Sequence, residues 1–274
     1  MSMSPEQFLL AEIGRRDATD YRFRWGTYFG WAVLTGGLYS IYGTLKLVER
    51  RVDHVRRRLA VSTSLWHALA AKADSLRVRG DVQEGLDNLS RIHAQIETYE
   101  RKNRRNAQTT AAVRAVLLFA TFAGIAMFSA LYDPDLGVAG QPDLVAVGSL
   151  IFDAGVIGLL VHGAITNAAL HRDFNFLDTW ETSWAENVEW VMYRLGMAPS
   201  FPARPPQPTR STATYVLLTV FSLGVFSILW RASLMGDGNR HFDHDDEVED
   251  AILAAMDLRG SPAPQTGLPV LPPS

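Results

Sequence analysis

Apolar residues are gathered in four long runs along the chain, and charged residues fill the intervals between them. The runs occupy residues 25–46, 111–132, 143–170 and 212–235. A helix needs about 20 apolar residues to cross about 30 Å of hydrocarbon, so each run is long enough to span a bilayer. The pattern predicts an all-α polytopic membrane protein with four hydrophobic helices.

The distribution of basic residues predicts the orientation. Fifteen Lys and Arg lie from Lys46 to Arg114, whereas none lies between Asp133 and Asp143. The excess of basic residues on the inner side of cell membranes therefore puts the basic stretch in the cytoplasm and residues 133–143 outside. We expect a multi-pass protein of the inner or plasma membrane.

Two membrane arrangements fit this distribution. In the first, all four runs cross and both termini lie outside. In the second, the first and fourth runs enter and leave on the cytoplasmic side, with Gly36 and Gly37 as a bend in the first. Four crossings are favoured here, because a re-entrant backbone must be shielded from lipid.

The intervals between the runs have helical patterns of their own. Residues 1–24 should include an amphipathic helix, capped by Ser4 with Pro5 at its first position and Gln7 completing a capping box. Residues 47–110 carry apolar positions at heptad spacing on both sides of Arg79-Gly80-Asp81. They predict a basic, cytoplasmic antiparallel helical hairpin that turns at this tripeptide.

The second half of the chain adds three more segments. Residues 171–210 predict an aromatic amphipathic helix, whose tryptophans should form a packing surface, followed by a proline-rich linker. Residues 236–259 predict a short acidic helix that contains histidines. Residues 260–274 are rich in proline and glycine, which is typical of a disordered tail.

Composition excludes several kinds of chemistry. The chain has no cysteine, so disulfides, thiolate metal sites and cysteine nucleophiles are impossible. A net charge of −3 gives no reason to expect nucleic acid as a partner. The sequence contains no glycine-rich phosphate loop and no nucleophile elbow. We therefore expect no enzyme activity and no cofactor.

The acidic helix carries a candidate metal site. Its imidazoles and carboxylates, from His241, His244 and Asp245, are ligands that divalent cations accept. The alternative is structural: acidic residues favour the first turn of a helix, and aspartate caps it.

Two polar residues interrupt the third apolar run. Asp153 lies at a depth where a carboxylate is costly, and His162 follows nine residues later. About 13.5 Å of helix separates them, so they cannot touch directly. Asp153 could serve as a proton or cation site facing a bundle interior, or it could be protonated, bonded to a neighbouring helix or shallow in the membrane.

Basic clusters lie at the base of the predicted hairpin, beside the bilayer. The clusters suggest contacts with anionic lipid headgroups through Arg56, Arg57, Arg58, Arg104 and Arg105. The alternative is an orienting and solvating cluster without a specific lipid. His93, on the hairpin seam, is interpreted as a packed or bonded core histidine.

The first and fourth runs align without gaps at an offset of 187 residues, which suggests an internal repeat. The identical pairs are Thr27/Thr214, Tyr28/Tyr215, Val33/Val220, Gly37/Gly224, Ser40/Ser227, Ile41/Ile228, Leu47/Leu234 and His54/His241. The alternative is the small residue alphabet that membrane helices share. His54 and His241 lie beyond the apolar part of the two runs, so this alternative does not explain why they are identical.

These residues resemble a known family. The motif from Thr35 to Tyr42, followed by a basic helix with His54, is similar to the signature of the bacterial and archaeal membrane family called domain of unknown function 4234. A second copy, with Ser222 in place of the threonine, runs from Ser222 to Trp230. It continues from Asn239 to Phe242, an Asn-x-His-Phe element that the first copy lacks. The resemblance implies a membrane fold and no particular mechanism.

The sequence thus favours a non-enzymatic scaffold that presents cytoplasmic helices. Its expected partners are the lipid bilayer and either a second copy or another membrane or cytoplasmic protein. The alternative is a small ion or proton transporter or channel that uses Asp153.

Overall fold

The computed structural model describes residues 3–131, 142–204 and 211–258, and every regular element in these ranges is an α-helix. The all-α prediction is therefore confirmed. The helices are α1 (Pro5–Ile13), α2 (Arg16–Thr19), α3 (Trp25–Leu34), α4 (Tyr39–Leu76), α5 (Arg79–Asn103), α6 (Ala107–Leu131), α7 (Pro142–Arg194), α8 (Thr212–Phe221) and α9 (Val225–Ala255).

Two helical stretches are long and apolar enough to cross a membrane. They lie in Arg79–Ala130 and Asp143–Arg194. In α6 and α7 the backbones approach closely at glycines. A Cβ at Gly124 would lie 2.4 Å from the backbone nitrogen of Phe152, and one at Gly155 would lie 2.5 Å from Thr121 Oγ1. Glycine is required where two helices meet at such short distances.

The first and fourth apolar runs are broken, unlike the four unbroken helices that we expected. Helices α3 and α8 have ten residues each, about 15 Å of helix, or half the thickness of the hydrocarbon. After each, the chain folds back. The ring of Tyr28 in α3 lies against Gly43 in α4, and the rings of Tyr215 in α8 and Trp230 in α9 have centroids 5.4 Å apart.

The two breaks have the same backbone geometry at the 187-residue offset. Positive φ angles occur at Gly36 (57°) and Gly37 (93°), and at the matching Leu223 (50°) and Gly224 (91°). A hydroxyl group then accepts a hydrogen bond from the backbone N–H four residues later: Thr35 Oγ1 from Tyr39, and Ser222 Oγ from Phe226. The aligned residues thus form one kind of helix–turn–helix hairpin twice.

The basic stretch forms an antiparallel pair of helices, α4 and α5, as predicted. The chain reverses at Arg77 and Val78 rather than at Arg79-Gly80-Asp81, because Arg77 adopts the left-handed conformation with φ of 59°. Arg79 already begins α5. The predicted capping box at Ser4 is confirmed at the start of α1.

Helix α7 unites two segments that the sequence analysis separated at residue 170. It continues for 53 residues from the apolar stretch through the aromatic one. The tryptophans pack as predicted, since the indole N–H of Trp180 donates to the Ile92 carbonyl and that of Trp184 donates to Ser62 Oγ. His93 is half-buried beside the same Ser62, which fits its interpretation as a bonded seam residue.

One helical body, called here the head, is built from both ends of the chain and the hairpin between them. Its buried core joins side chains of α1, α4, α5, the aromatic part of α7 and the last turns of α9, including Ile13, Leu65, Leu86, Trp184 and Ile252. The predicted external loop and the predicted proline-rich linker fall largely outside the described residues. The predicted disordered tail falls wholly outside them.

Candidate metal centre

Four ligand-type side chains converge where three helices of the head meet. They are His54 from α4, Glu181 from α7, and His241 and Asp245 from α9. One ligand atom from each lies within 4.8 Å of the others, and all four residues are buried. His241 and Asp245 share a face of α9 because four residues separate them, slightly more than one helical turn.

The two imidazoles point the same nitrogen at the same pair of carboxylates. His54 Nε2 lies 3.2 Å from Glu181 Oε1 and 3.4 Å from Asp245 Oδ2. His241 Nε2 lies 3.2 Å from Glu181 Oε2 and 3.4 Å from Asp245 Oδ2. Two nitrogens and two carboxylates therefore surround one small volume.

Each imidazole also contacts a further carboxylate through its other ring nitrogen, Nδ1. His54 Nδ1 lies 3.0 Å from Asp20 Oδ1, and His241 Nδ1 lies 2.6 Å from Asp178 Oδ1. An ionised carboxylate can only accept a hydrogen bond, so Nδ1 must be the donor in both contacts. In the neutral imidazole this leaves the lone pair on Nε2, which is the arrangement of metal-binding histidines backed by carboxylates.

Arginines neutralise most of the negative charge. Arg57 contacts Asp20 and both oxygens of Glu249, while Arg58 joins Glu181 to Glu249. Arg204 bridges three carboxylates, those of Asp178, Glu181 and Asp245, at 2.6 to 2.9 Å. Five carboxylates thus face three guanidinium groups in this set of direct ion pairs, which leaves a formal charge of −2 before the histidines are counted.

Burial and the surplus of carboxylates shift the pKa values of the cluster. Burial alone would lower the pKa of His54 and His241, but the adjacent carboxylates outweigh it and raise both. Burial together with the nearby Glu181 charge raises the pKa of Asp245 to about 7. The pKa of Asp20 is lowered despite its burial, because His54 and Arg57 favour its charged form.

The residues fit a divalent cation. His241 Nε2 and Asp245 Oδ2 are buried polar atoms without a hydrogen-bond partner, although both face the centre of the cluster. Such orphaned atoms are costly unless something satisfies them. A cation of charge +2 would accept both lone pairs and cancel the remaining −2. Imidazole nitrogens and carboxylate oxygens are donors that Zn²⁺ takes in proteins.

The structure brings two of the three predicted metal ligands into this cluster. His241 and Asp245 belong to the cluster, whereas His244 does not: its ring is one of the groups that line a neighbouring cavity of about 210 Å³. His54 and Glu181 were not proposed as ligands. The repeat pair His54/His241 was the available signal for His54, and a charged residue on the buried face of an aromatic helix was the signal for Glu181.

The two polar residues of the apolar run 143–170 both lie on α7. The side chain of Asp153 is exposed on α7, so it does not face the interior of the described helices. His162 is partly buried, and its Nδ1 has no hydrogen-bond partner. Among the residues that the structure covers, Asp153 therefore does not face a bundle interior, and the transporter hypothesis stays a prediction.

Two of the five predicted lipid-contacting arginines are buried in ion pairs instead. Arg57 and Arg58 are 2% and 1% exposed, so they cannot reach a headgroup. The position of the three consecutive arginines at the base of the hairpin predicts exposure to headgroups, but carboxylates of other segments cover two of them. Arg105 binds Asp173 at 2.9 Å, while Arg56 and Arg104 are exposed.

No family model, curated protein or solved structure matches this chain. The resemblance to the family called domain of unknown function 4234 therefore stays a prediction.

Proposed function

We propose that this chain is a membrane protein whose head is held together by one bound divalent transition-metal ion, with Zn²⁺ the best fit. The observation that carries the proposal is the convergence of two carboxylate-backed imidazoles on the same two buried carboxylates. The ligands come from three helices that are distant along the chain, so the ion acts as a cross-link.

The donor set favours a structural ion over a catalytic one. Four protein donors are what a closed tetrahedral zinc site needs, whereas catalytic sites keep a position for water. Metal binding of this kind contributes directly to folding free energy. A head of fixed shape suits the scaffold role expected from the sequence, in which the protein presents helices to a second copy or to another protein.

For the membrane part, we propose two crossings by α6 and α7 and two re-entrant hairpins, α3–α4 and α8–α9. The support is the short length of α3 and α8 and the reversal of the chain after each. This arrangement places all the packed elements of the head on one side, where the basic hairpin favours the cytoplasm of the inner or plasma membrane.

Metal analysis of the purified protein tests the central proposal. We expect close to one zinc ion per chain after reconstitution with Zn²⁺ and removal of excess, measured by inductively coupled plasma mass spectrometry. Loss of one imidazole should deplete the ion strongly, so His54→Ala and His241→Ala should each lose most of it. His67→Ala is the matched control, because His67 lies on the same helix as His54 but is exposed.

A second variant distinguishes loss of metal binding from loss of the fold. Glu181→Gln keeps the size of the side chain and removes one negative donor, so it should weaken metal binding in protein that remains monodisperse. If the wild-type protein stays metal-free when offered Zn²⁺, Mn²⁺, Fe²⁺ and Co²⁺, the cluster is an ion-pair network with protonated histidines and the proposal is wrong.

Single cysteines test the topology, since the chain has none of its own. Asp17→Cys, Gly80→Cys and Glu247→Cys should all be protected from an impermeant reagent in intact cells, and Gly137→Cys should react. Four crossings predict instead that Asp17→Cys and Glu247→Cys react together with Gly137→Cys.

A further inference from the structure

A second polar site lies on the membrane side of the molecule, away from the four ligands of the head. A cavity of about 320 Å³ opens between the first re-entrant hairpin and helices α6, α7 and α9. This volume is at the lower end of the range of about 300–1,000 Å³ that small-ligand pockets occupy. Its wall includes two arginines, Arg114 and Arg231, and no acidic residue.

The partners of the two arginines are all uncharged. Arg231 is 5% exposed and donates to Tyr28 Oη, Thr44 Oγ1 and Asn167 Oδ1 at 3.1 to 3.4 Å. Arg114 donates through Nε to Ser40 Oγ at 2.9 Å. Neither forms an ion pair with any carboxylate in the described ranges. Two positive charges therefore line one cavity without a counter-ion among the described residues, which is costly unless an anion joins them.

The surroundings indicate what kind of anion fits. Apolar groups of Val33, Leu118 and Leu160 complete the wall. Val33 is 62% exposed on the outer, apolar surface of α3, so the cavity reaches the face that lipid would cover. Aromatic Trp25 at the start of α3 is the kind of residue that favours the headgroup layer.

We propose that this cavity binds the phosphate group of an anionic phospholipid, with Arg114 and Arg231 as its two cationic donors. Guanidinium groups bind phosphate oxygens through planar pairs of N–H donors, which makes arginine well suited to phosphate recognition. The acyl chains would leave along the apolar wall toward Val33. Inorganic phosphate shares the headgroup chemistry but lacks the chains, and the experiment separates the two.

Native mass spectrometry of the detergent-purified protein, titrated with defined lipids, measures this binding. We expect phosphatidylglycerol to bind more tightly than phosphatidylcholine, whose choline would be repelled, and diacylglycerol not to bind. Each substitution removes a charged donor from the phosphate, so Arg114→Gln and Arg231→Gln should each weaken phosphatidylglycerol binding about tenfold or more. Arg101→Gln, an exposed residue of α5, should leave binding unchanged.

Two further variants keep the test valid if a glutamine variant unfolds. Arg114→Lys retains the charge and should bind more tightly than Arg114→Gln. Gly163→Leu retains both arginines and fills the cavity, because a Cβ at Gly163 would have no neighbour closer than Arg114 Nη1 at 4.0 Å. We expect Gly163→Leu to exclude the phospholipid.

The outcomes are distinct from those of the metal analysis. If inorganic phosphate competes with phosphatidylglycerol at millimolar concentration, the ligand is the phosphate group itself and the proposed donors hold. If diacylglycerol binds as tightly as phosphatidylglycerol, or if the double glutamine variant retains phosphatidylglycerol in folded protein, the proposal is wrong.

Discussion

At the scale of single residues, the head shows how far a charged side chain can be buried when partners surround it. Arg57, Arg58 and Glu249 have almost no exposed surface, yet each makes short ion pairs. Burying charge is costly, and removing one partner of such a pair leaves an uncompensated charge in the core. The chain maintains this network beside a core of leucines and tryptophans, which suits a site that must hold a fixed geometry.

Asp20→Asn tests the role of the carboxylates behind the imidazoles. The amide can donate to Nδ1 and so favour the other tautomer, which removes the lone pair from Nε2 of His54. We expect zinc affinity to fall by about 10- to 100-fold, measured by competition with a chromogenic chelator. Asp17→Asn, three residues earlier and exposed, should leave the affinity unchanged. An equal loss in both variants would contradict the assignment.

Ser62 is a buried polar residue of α4 in the core of the head, and the structure shows what its hydroxyl contacts. Its hydroxyl accepts the indole N–H of Trp184 at 3.1 Å in the core. Ser62→Ala would leave that buried donor unsatisfied, so the free energy of unfolding should fall by about 1–3 kcal/mol. Ser75→Ala provides the control, because Ser75 is exposed and bonds only within its own helix. Denaturation in mild detergent measures both, and equal effects would argue against this role.

At the scale of elements, the apolar runs 25–46 and 212–235 show where sequence reasoning stops. Length and hydropathy are the same for a straight helix and for two short ones, so composition alone could not distinguish a crossing from a hairpin. The bend at Gly36 and Gly37 was visible as an alternative. The equivalent bend at Leu223 and Gly224 carries only one glycine, so its signal was weaker and depended on the alignment of Gly37 with Gly224.

The turn itself can be tested at Gly37. A Cβ there would meet Leu118 Cδ1 at an ordinary 3.7 Å, so space is available, but φ of 93° is unfavourable for any side chain. Gly37→Ala should therefore destabilise the protein by about 1–2 kcal/mol through the backbone alone. Gly26→Ala, inside α3 with no neighbour within 4 Å of its Cβ, should be neutral or slightly stabilising. Thermal unfolding in detergent compares the two, and the reverse order would show that the hairpin does not form.

At the scale of the whole molecule, the sequence predicted the parts better than their meeting points. Periodicity indicated the basic hairpin and the aromatic stripe, because each pattern is local. The predicted short acidic helix is instead the second half of α9, which continues without a break from the fourth apolar run. The metal centre draws on Asp20, His54, Glu181 and His241, which lie far apart along the chain. Local patterns do not show which distant residues come together. Only the internal repeat linked two of these residues, His54 and His241, from the sequence.

Metal removal should loosen the head selectively. An ion whose free concentration is 1,000 times its dissociation constant stabilises the folded state by about 4 kcal/mol. A chelator removes that contribution. We expect a lower unfolding temperature after chelation and faster amide hydrogen exchange in the second half of α9. The apolar helix α6 should exchange at an unchanged rate, because it holds none of the four ligands. Uniform acceleration across both regions would contradict a local cross-link.

The unbroken length of α7 has a mechanical consequence. At about 1.5 Å per residue its 53 residues form a rod of about 80 Å, with no proline, loop or positive φ between Asp143 and Glu181. In the two-crossing arrangement, the tilt at which this rod leaves the bilayer sets the angle of the entire cytoplasmic part. A change in the thickness of the surrounding lipid alters the tilt of spanning helices. Such a change would therefore displace the far end of α7.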